Sequence, residues 1–188
     1  MPDYIPNIAS QIDRAIRALL VSDAAATEEQ TFLCTDWRDR PDPEDVGGLI
    51  DIKTTSGDER EQESGNYGCT VELYFRFKSI ASGETEAEAA ARRVSMDELI
   101  GVVMYALDRA DYGSGKPTVC AALNTAGRAL AVSSPDTDAD MENFTALAVY
   151  GNPRIERGHG MGDDGSVDAS VWVEKRTLTI VACPRNVD

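Results

Sequence analysis

The spacing of apolar residues predicts a helix near the start of the chain. Between Ile8 and Leu20 they recur at intervals of four and three residues, and charged residues fill the intervening positions. That period places the apolar residues on one side of a helix. Pro6 or Asn7 is expected to open it, because proline suits a first helical turn and asparagine suits a cap. The sequence therefore predicts an amphipathic N-terminal helix that lies on an apolar surface.

Strict alternation of apolar and polar residues predicts the strands. The clearest case runs from Gly68 to Ile80, where Cys, Val, Leu and Phe residues occupy every second position. Such a strand buries one face and leaves the other wet or paired. Two shorter strands are expected over Thr31 to Trp37 and Leu49 to Thr54.

The second half of the chain predicts further extended segments. Phe144 to Tyr150 is typical of a strand that ends at Gly151-Asn152-Pro153, since proline and glycine interrupt strands. The glycine-rich residues 158–165 are expected to form a flexible turn. Ser166 to Cys183 then predicts one long closing strand, or a hairpin hinged near Lys175-Arg176.

A second, longer helix is predicted from Thr85 to about Asp108. Thr85 and Glu88 have the spacing of a capping box, in which each side chain satisfies a backbone N–H of the first turn. From Met96 to Leu107 the segment is apolar almost all round, so we expect it to be covered on more than one side.

The stretch 111–143 gives the weakest pattern. Thr118 to Leu123 and Ala129 to Ser133 are interpreted as strands that flank a turn at Asn124 to Gly127. A short helix in this region is the alternative.

Two polar stretches, 38–48 and 56–67, contain many charged residues and almost nothing to bury. They are expected to be mobile or partner-facing acidic loops. At 188 residues with no second composition regime, residues 1–188 are expected to form one domain, which can bury a core without a metal or disulfide. The predicted fold class is α+β: a mainly antiparallel sheet, with the N-terminal amphipathic helix and the second long helix packed on it.

The excess of acidic over basic residues limits the kinds of molecule that the chain is expected to bind. With 33 acidic against 18 basic residues, the net charge is −15, which opposes binding to nucleic-acid backbones and to anionic membranes. Ordinary solubility explains such acidity. Alternatively, an acidic face meets a basic partner, or faces DNA that must slide past without sticking.

Neither a secretory signal nor a membrane span is expected. The first residues lack a basic region followed by an apolar one, and the longest strongly apolar stretch, Leu99 to Leu107, is much shorter than the ~20 residues that a spanning helix needs. A cytosolic site of synthesis is the expectation.

The four cysteines give no sign of a metal site. Cys34, Cys69, Cys120 and Cys183 are far apart, and the chain has one histidine. We interpret the cysteines as reduced, buried, small apolar residues, and a disulfide remains the alternative.

One segment partly matches a calcium loop. Asp136, Asp138 and Asp140 occupy the first, third and fifth positions of an EF-hand-like pattern. The sixth position is Met141 where the turn needs glycine, and the twelfth is Leu147 where a bidentate glutamate belongs. A solvated acidic loop is the favoured interpretation.

The remaining catalytic motifs are incomplete. Gly113-Ser114-Gly115-Lys116 resembles the end of a phosphate loop, but Pro117 replaces the Ser/Thr that would hold magnesium. His159, the single histidine, lies in the glycine-rich 158–165, which is poorly suited to fix a base. We therefore predict no catalytic, cofactor-binding or metal-binding residues and a protein that is not an enzyme. A carboxylate-pair hydrolase is a third possibility, because acidic residues are abundant.

The order of these elements resembles the tail-terminator or tail-completion proteins of long-tailed bacteriophages. An opening helix, short strands, the long strand at 68–80, the helix at 85–108 and late extended segments carry the resemblance. It implies a structural virion protein, assembled in the host cytoplasm, with a sheet flanked by helices and no cofactor. Such proteins form a ring, commonly a hexamer, that ends the tail tube and faces the head-side connector.

The resemblance also assigns roles to segments. The loops at 38–48 and 56–67 would make contacts along the tail axis, and the helix at 85–108 would pack within or between subunits. Residues 111–143 look like an insertion relative to the family pattern. An acidic lumen would repel the DNA that passes through it.

The alternative is a monomeric acidic module that mimics nucleic acid and binds a basic protein groove.

Overall fold

A computed structural model describes residues 7–22, 31–34, 48–61, 65–78, 83–107, 118–161 and 167–183. Its helices and strands are α1 (Ile8–Ser22), β1 (Thr31–Cys34), β2 (Gly48–Glu61), β3 (Asn66–Lys78), α2 (Glu86–Leu107), α3 (Val119–Ser133), α4 (Pro135–Asp138), the 3-10 helix η1 (Ala139–Asn143), β4 (Thr145–Met161) and β5 (Val167–Cys183).

The five strands form one sheet in the order β1-β2-β3-β5-β4. β1 runs parallel to β2, and every other neighbouring pair is antiparallel. The two chain-adjacent hairpins, β2–β3 and β4–β5, are joined where β3 pairs with β5. The predicted α+β fold with a mainly antiparallel sheet is confirmed.

The core lies between one face of the sheet and the helices. Alternate residues of β3 from Cys69 to Phe77 are buried, as are Ile50 and Ile52 of β2 and Leu178 and Ile180 of β5. They belong to the same apolar cluster as the buried side of α1 and that of α2. The strand predicted at Gly68 to Ile80 is therefore confirmed through Lys78. The residues that the alternation assigned to the core are the ones that are buried.

α1 confirms its sequence prediction. The backbone N–H of Ser10 donates to the Asn7 side-chain oxygen at 3.3 Å, which satisfies an N–H that the first helical turn leaves unpaired. The buried residues, among them Ile12, Ile16 and Leu20, repeat every four positions.

The capping box of α2 is also confirmed. The Thr85 N–H donates to Glu88 Oε2 at 2.8 Å, and the Glu88 N–H donates to Thr85 Oγ1 at 3.3 Å. The expectation that Met96 to Leu107 is covered on more than one side is wrong, because Gly101 and Tyr105 in that range are exposed while the opposite side of the helix is buried. No helix of the described residues is long and apolar enough to span a membrane.

The two strands predicted within 118–133 are wrong, and the helix that was their alternative is the element observed, as the single helix α3. Thr118 caps it by accepting the Ala121 N–H at 3.2 Å, and its many alanines have the highest helix propensity. Gly127 faces η1 so closely that a Cβ there would lie 3.3 Å from Met141 and Phe144. The close packing of α3 on η1 thus explains a glycine that sequence reasoning assigned to a turn.

β4 does not end at Gly151-Asn152-Pro153 but continues to Met161. Its register against β5 shifts between Asn152 and Ile155. β4 lies at the edge of the sheet. Proline, which has no backbone N–H to donate, is tolerated at a bulge of an edge strand. The predicted turn at 158–165 is wrong for residues 158–161, which are strand. β5 is one strand without a hinge at Lys175-Arg176.

The acidic loop expected at 56–67 is wrong in its described part. β2 extends to Glu61 with two register irregularities, and β3 starts at Asn66. Gly65 in the turn has φ of +67°, a conformation that glycine adopts at little cost. Of the other predicted loop, 38–47 lies outside the described residues and Gly48 opens β2.

The described cysteines are free thiols. Cys69 and Cys183 are buried, as expected. Cys120 is only partly buried, and that burial raises the pKa of its thiol. Cys34 lies in β1, and its side chain is outside the described part.

Candidate interaction surfaces

The face of the sheet turned away from the helices is polar. Register places Asp51, Tyr74, Lys175 and Glu156 in one row across β2, β3, β5 and β4. Parallel rows lie beside it, one of Lys53, Glu72 and Thr177 and another of Thr55, Thr70, Thr179 and Tyr150. We call this surface the open sheet face.

Ion pairs hold the charges of the open sheet face in place. Lys175 Nζ lies 2.5 Å from Glu72 Oε1, and the Tyr74 hydroxyl donates to Glu72 Oε2 at 2.7 Å. Burial disfavours ionised Glu72, but the bonds from Lys175 and Tyr74 outweigh it and lower the Glu72 pKa. The bond to Glu72 raises the Lys175 pKa. Both groups therefore stay charged near neutral pH, which suits fixed ion pairing better than proton transfer.

The open sheet face carries no net charge in its described side chains. Asp51 and Arg76 form a second pair at 2.8 Å, and Glu156 lies 3.9 Å from Lys175. Three acidic groups are thus matched by three basic ones: Asp51, Glu72 and Glu156 against Lys53, Arg76 and Lys175. The described side chains of this face therefore contribute nothing to the acidic excess of the chain.

A buried carboxylate lies on the helix-facing side of β5. Glu174, whose side chain is 2% exposed, contacts Arg157 Nε at 2.7 Å and Arg176 Nη2 at 2.5 Å. Two guanidinium groups compensate one carboxylate, which makes its burial tolerable and ties β4 to β5. Sequence reasoning missed this cluster because the apolar alternation of this segment changes phase, from Val171 and Val173 to Leu178 and Ile180, and the change was interpreted as a possible hinge near Lys175-Arg176.

The carboxylates of the calcium-like segment bind an arginine. Arg14 Nη1 lies 2.6 Å from Asp138 Oδ1, and Arg14 Nη2 lies 2.6 Å from Asp140 Oδ2. The buried Gln11 amide donates to the Asp140 carbonyl oxygen at 2.8 Å. The predicted solvated loop is instead α4 and η1, docked on α1. Asp136 is exposed, and Met141 is fully buried in the core.

The other sequence motifs contribute no site geometry. Residues 113–117, the partial phosphate loop, lie outside the described residues. His159 is in β4, opposite Trp172 of β5, and its side chain is not described. Within the described ranges, no group of three His, Cys, Asp or Glu side chains is placed to hold a metal ion.

An apolar groove runs between α1 and α3 on the outside of the helix layer. It encloses about 490 Å³ and is lined by Ala18, Leu19 and Ser22 of α1 and by α3 residues from Ala122 to Ser133. Val21 and Val132, neighbours of these lining residues in sequence, are 57% and 83% exposed. We call it the α1–α3 groove.

The helices that form the groove carry mostly basic charge. Arg128 is the only charged residue of α3, and Arg17 of α1 is exposed like it. The acidic residue of α1, Asp13, turns toward the sheet, where it accepts the Thr54 hydroxyl at 2.5 Å. In a chain of net charge −15, these two helices therefore carry a local excess of basic charge, although neither arginine lines the groove.

α2 presents an exposed line of residues on the side opposite the core. Its members recur at intervals of four and three, the spacing of one helix face. They are Ala87, Ala91, Val94, Glu98, Gly101 and Tyr105. We call this line the outer stripe of α2. It is small or apolar except for one carboxylate.

No protein-family model and no curated protein matches this chain. Sequence reasoning missed the α1–α3 groove because it favoured strands over a helix for the residues of α3. The alanines at 122, 126 and 129, spaced four and three apart, were the signal that could have found it.

Proposed function

We propose that this chain is a structural, non-enzymatic subunit that assembles with copies of itself into a ring at the end of a phage-type tail tube. The observation that carries the proposal is the exposure of Val94 and Tyr105, each 57%, on a long helix of a strongly acidic chain. Apolar residues grouped on one exposed face mark surfaces that contact other proteins.

The ion-paired groups also support a structural role. Asp13, whose pKa is raised to about 6, is a different case, because it is packed between α1 and β2 and accepts the Thr54 hydroxyl. Glu72 and Lys175, the best-connected charged pair of the open sheet face, have pKa values displaced away from neutrality by their mutual contact. Catalytic acids and bases generally need pKa values near the working pH. The arginines of the Glu174 and Asp140 clusters likewise engage the carboxylates they face.

The distribution of charge supports a ring around DNA. The open sheet face is neutral in its described side chains, and the net charge of −15 leaves an excess of carboxylates that is available to line a lumen. An acidic lumen repels the phosphate backbone, which lets DNA pass without being bound. The partners of such a ring are the tail tube on one side and the head-side connector on the other, and its location is the virion.

The native mass tests this proposal. Light scattering behind a sizing column is expected to give a multiple of the 20.3 kDa chain mass at tens of micromolar, and electron microscopy is expected to show rings. A particle that stays at one chain mass and binds a basic protein in a salt-sensitive way would instead establish the nucleic-acid-mimic alternative.

A further inference from the structure

We propose that two copies of this chain pair along the outer edge of β4, antiparallel and related by a twofold axis at Tyr150. Such a contact is additional to those of a ring with two different ends, because the neighbours in that ring meet through unlike patches. The inference therefore goes beyond the proposed function and does not depend on it. It starts from the position of β4, which is the terminal strand in the order of the described sheet.

Asn124 of α3 takes the place of a neighbouring strand at one position of this edge. The Ala146 N–H donates to Asn124 Oδ1 at 2.6 Å, and the Asn124 amide donates to the Ala146 carbonyl oxygen at 3.3 Å. The backbone groups of Ala146 therefore point away from β5. Because Asn124 satisfies both of them, the edge is closed to another strand at this residue.

The register shows which other backbone groups of β4 point outward. In an antiparallel ladder, opposite residues alternate between bonding to each other and pointing away from each other. Ala146, Val149 and Gly151 lie opposite every second residue of β5, namely Ala182, Ile180 and Leu178. Because Ala146 points outward, Val149 and Gly151 do so too. A strand that approaches this edge finds the N–H and C=O groups of these two residues on either side of Tyr150.

The uninterrupted part of β4 at this place is symmetric about Tyr150. Register irregularities flank it on both sides, so the ladder runs without interruption over residues 148–152. A twofold axis at the middle residue places Val149 of each copy opposite Gly151 of the other. The two residues of each such pair exchange both backbone hydrogen bonds, and Gly151 leaves room for the valine side chain beside it.

The end of this stretch at Ala146 also fits a second copy. The axis at Tyr150 places Ala146 opposite position 154 of the partner, because both are four residues from the axis. Position 154 lies in the second register irregularity of β4, and a strand bends at such a place. The copy therefore bends away from the edge where Asn124 blocks it. A straight strand of another protein would instead meet Asn124.

Charge and exposure favour contact between identical strands here. No residue from Phe144 to Pro153 is charged, although native edge strands often carry charges that block pairing. Two chains of net charge −15 can therefore meet at this stretch without placing like charges opposite one another. Tyr150 is 57% exposed, and the axis places it beside its counterpart in the closer kind of cross-strand pair, which favours contact between aromatic rings.

A cysteine at the axis tests the pairing directly. Opposite residues that do not bond to each other have Cα atoms about 4.5 Å apart in an antiparallel pair, a distance that a disulfide can span. Tyr150→Cys is therefore expected to form a disulfide-linked dimer under mild oxidation, with twice the chain mass of 20.3 kDa in the absence of reductant. Val132→Cys, at an 83% exposed position of α3, is the matched control and is expected to give no more dimer than the wild type.

Charge variants at the same position supply a second test. Tyr150→Lys and Tyr150→Asp each place two like charges at the axis, so each alone is expected to weaken pairing by about tenfold or more in sedimentation equilibrium. An equimolar mixture is expected to form heterodimers, because lysine then faces aspartate. This recovery requires position 150 to face itself. Val132→Lys adds the same charge elsewhere and is expected to leave pairing unchanged.

The pairing and the proposed function fail separately. A cross-link at position 150 in a protein that forms no ring supports the pairing and overturns the proposed function. Rings without this cross-link and without recovery in the mixture overturn the pairing and leave the proposed function standing. Equal cross-linking of Tyr150→Cys and Val132→Cys reflects random collision and also overturns the pairing. Where Tyr150→Cys fails to fold, the mixture of the charge variants decides.

Discussion

Asp13 lies between α1 and β2, where burial outweighs the Thr54 hydrogen bond and raises its pKa from 3.8 to about 6. The folded chain therefore holds this proton more tightly than the unfolded chain does. The stability that the group contributes is fully present below pH 3.8 and is lost as the pH rises through about 6. At pH 7 the ionised carboxylate is a destabilising feature of the fold.

Replacing this carboxyl by its neutral isostere should remove that penalty. Asp13→Asn keeps an oxygen for the Thr54 hydroxyl, and it is expected to raise the free energy of unfolding by about 1–3 kcal/mol at pH 7. The gain should vanish near pH 4, where the native carboxyl is largely protonated in the folded chain. Urea titrations at both pH values measure it, with the exposed Asp97→Asn as control. An equal gain at both pH values would mean that the proton is not the cause.

At the scale of elements, predictability followed the strength of local signals. α1, β3 and the start of α2 were predicted because apolar period and cap residues agree there. α3 was predicted only as the alternative to two strands, because Asn124 to Gly127 is typical of a turn and the burial of this segment depends on contact with η1, as Gly127 shows. The continuation of β4 past Pro153 was missed because a proline is tolerated there only through the position of β4 at the edge of the sheet. The local sequence does not indicate which strand lies at an edge.

The first turn of α2 offers an element-scale prediction. Thr85→Ala removes the oxygen that accepts the Glu88 N–H and leaves that donor to water. The expected loss is about 1 kcal/mol of unfolding free energy, measured by denaturant titration. Thr125→Ala is a fitting control: its hydroxyl donates to a carbonyl within α3, a bond that water replaces easily at an exposed position. A loss no larger than that of the control would show that the cap is not stabilising α2.

At the scale of the whole molecule, assembly must overcome repulsion. Each copy carries a net charge of −15, and the repulsion between copies acts over distances that salt screens, with a Debye length near 10 Å at 0.1 M. Contact through the exposed apolar residues of the outer stripe of α2 is not weakened by salt. The described side chains of the open sheet face carry no net charge and add no repulsion of their own.

These terms predict the sign of the salt response. Raising NaCl from about 0.05 to 0.5 M should strengthen self-association of the wild type, measured by sedimentation equilibrium, because screening weakens the repulsion between copies that each carry a net charge of −15. A monomeric module bound to a basic partner would respond in the opposite direction, since salt weakens attraction between opposite charges. Dissociation of wild-type particles by salt would therefore mean that attraction between opposite charges, and not apolar contact, holds the copies together.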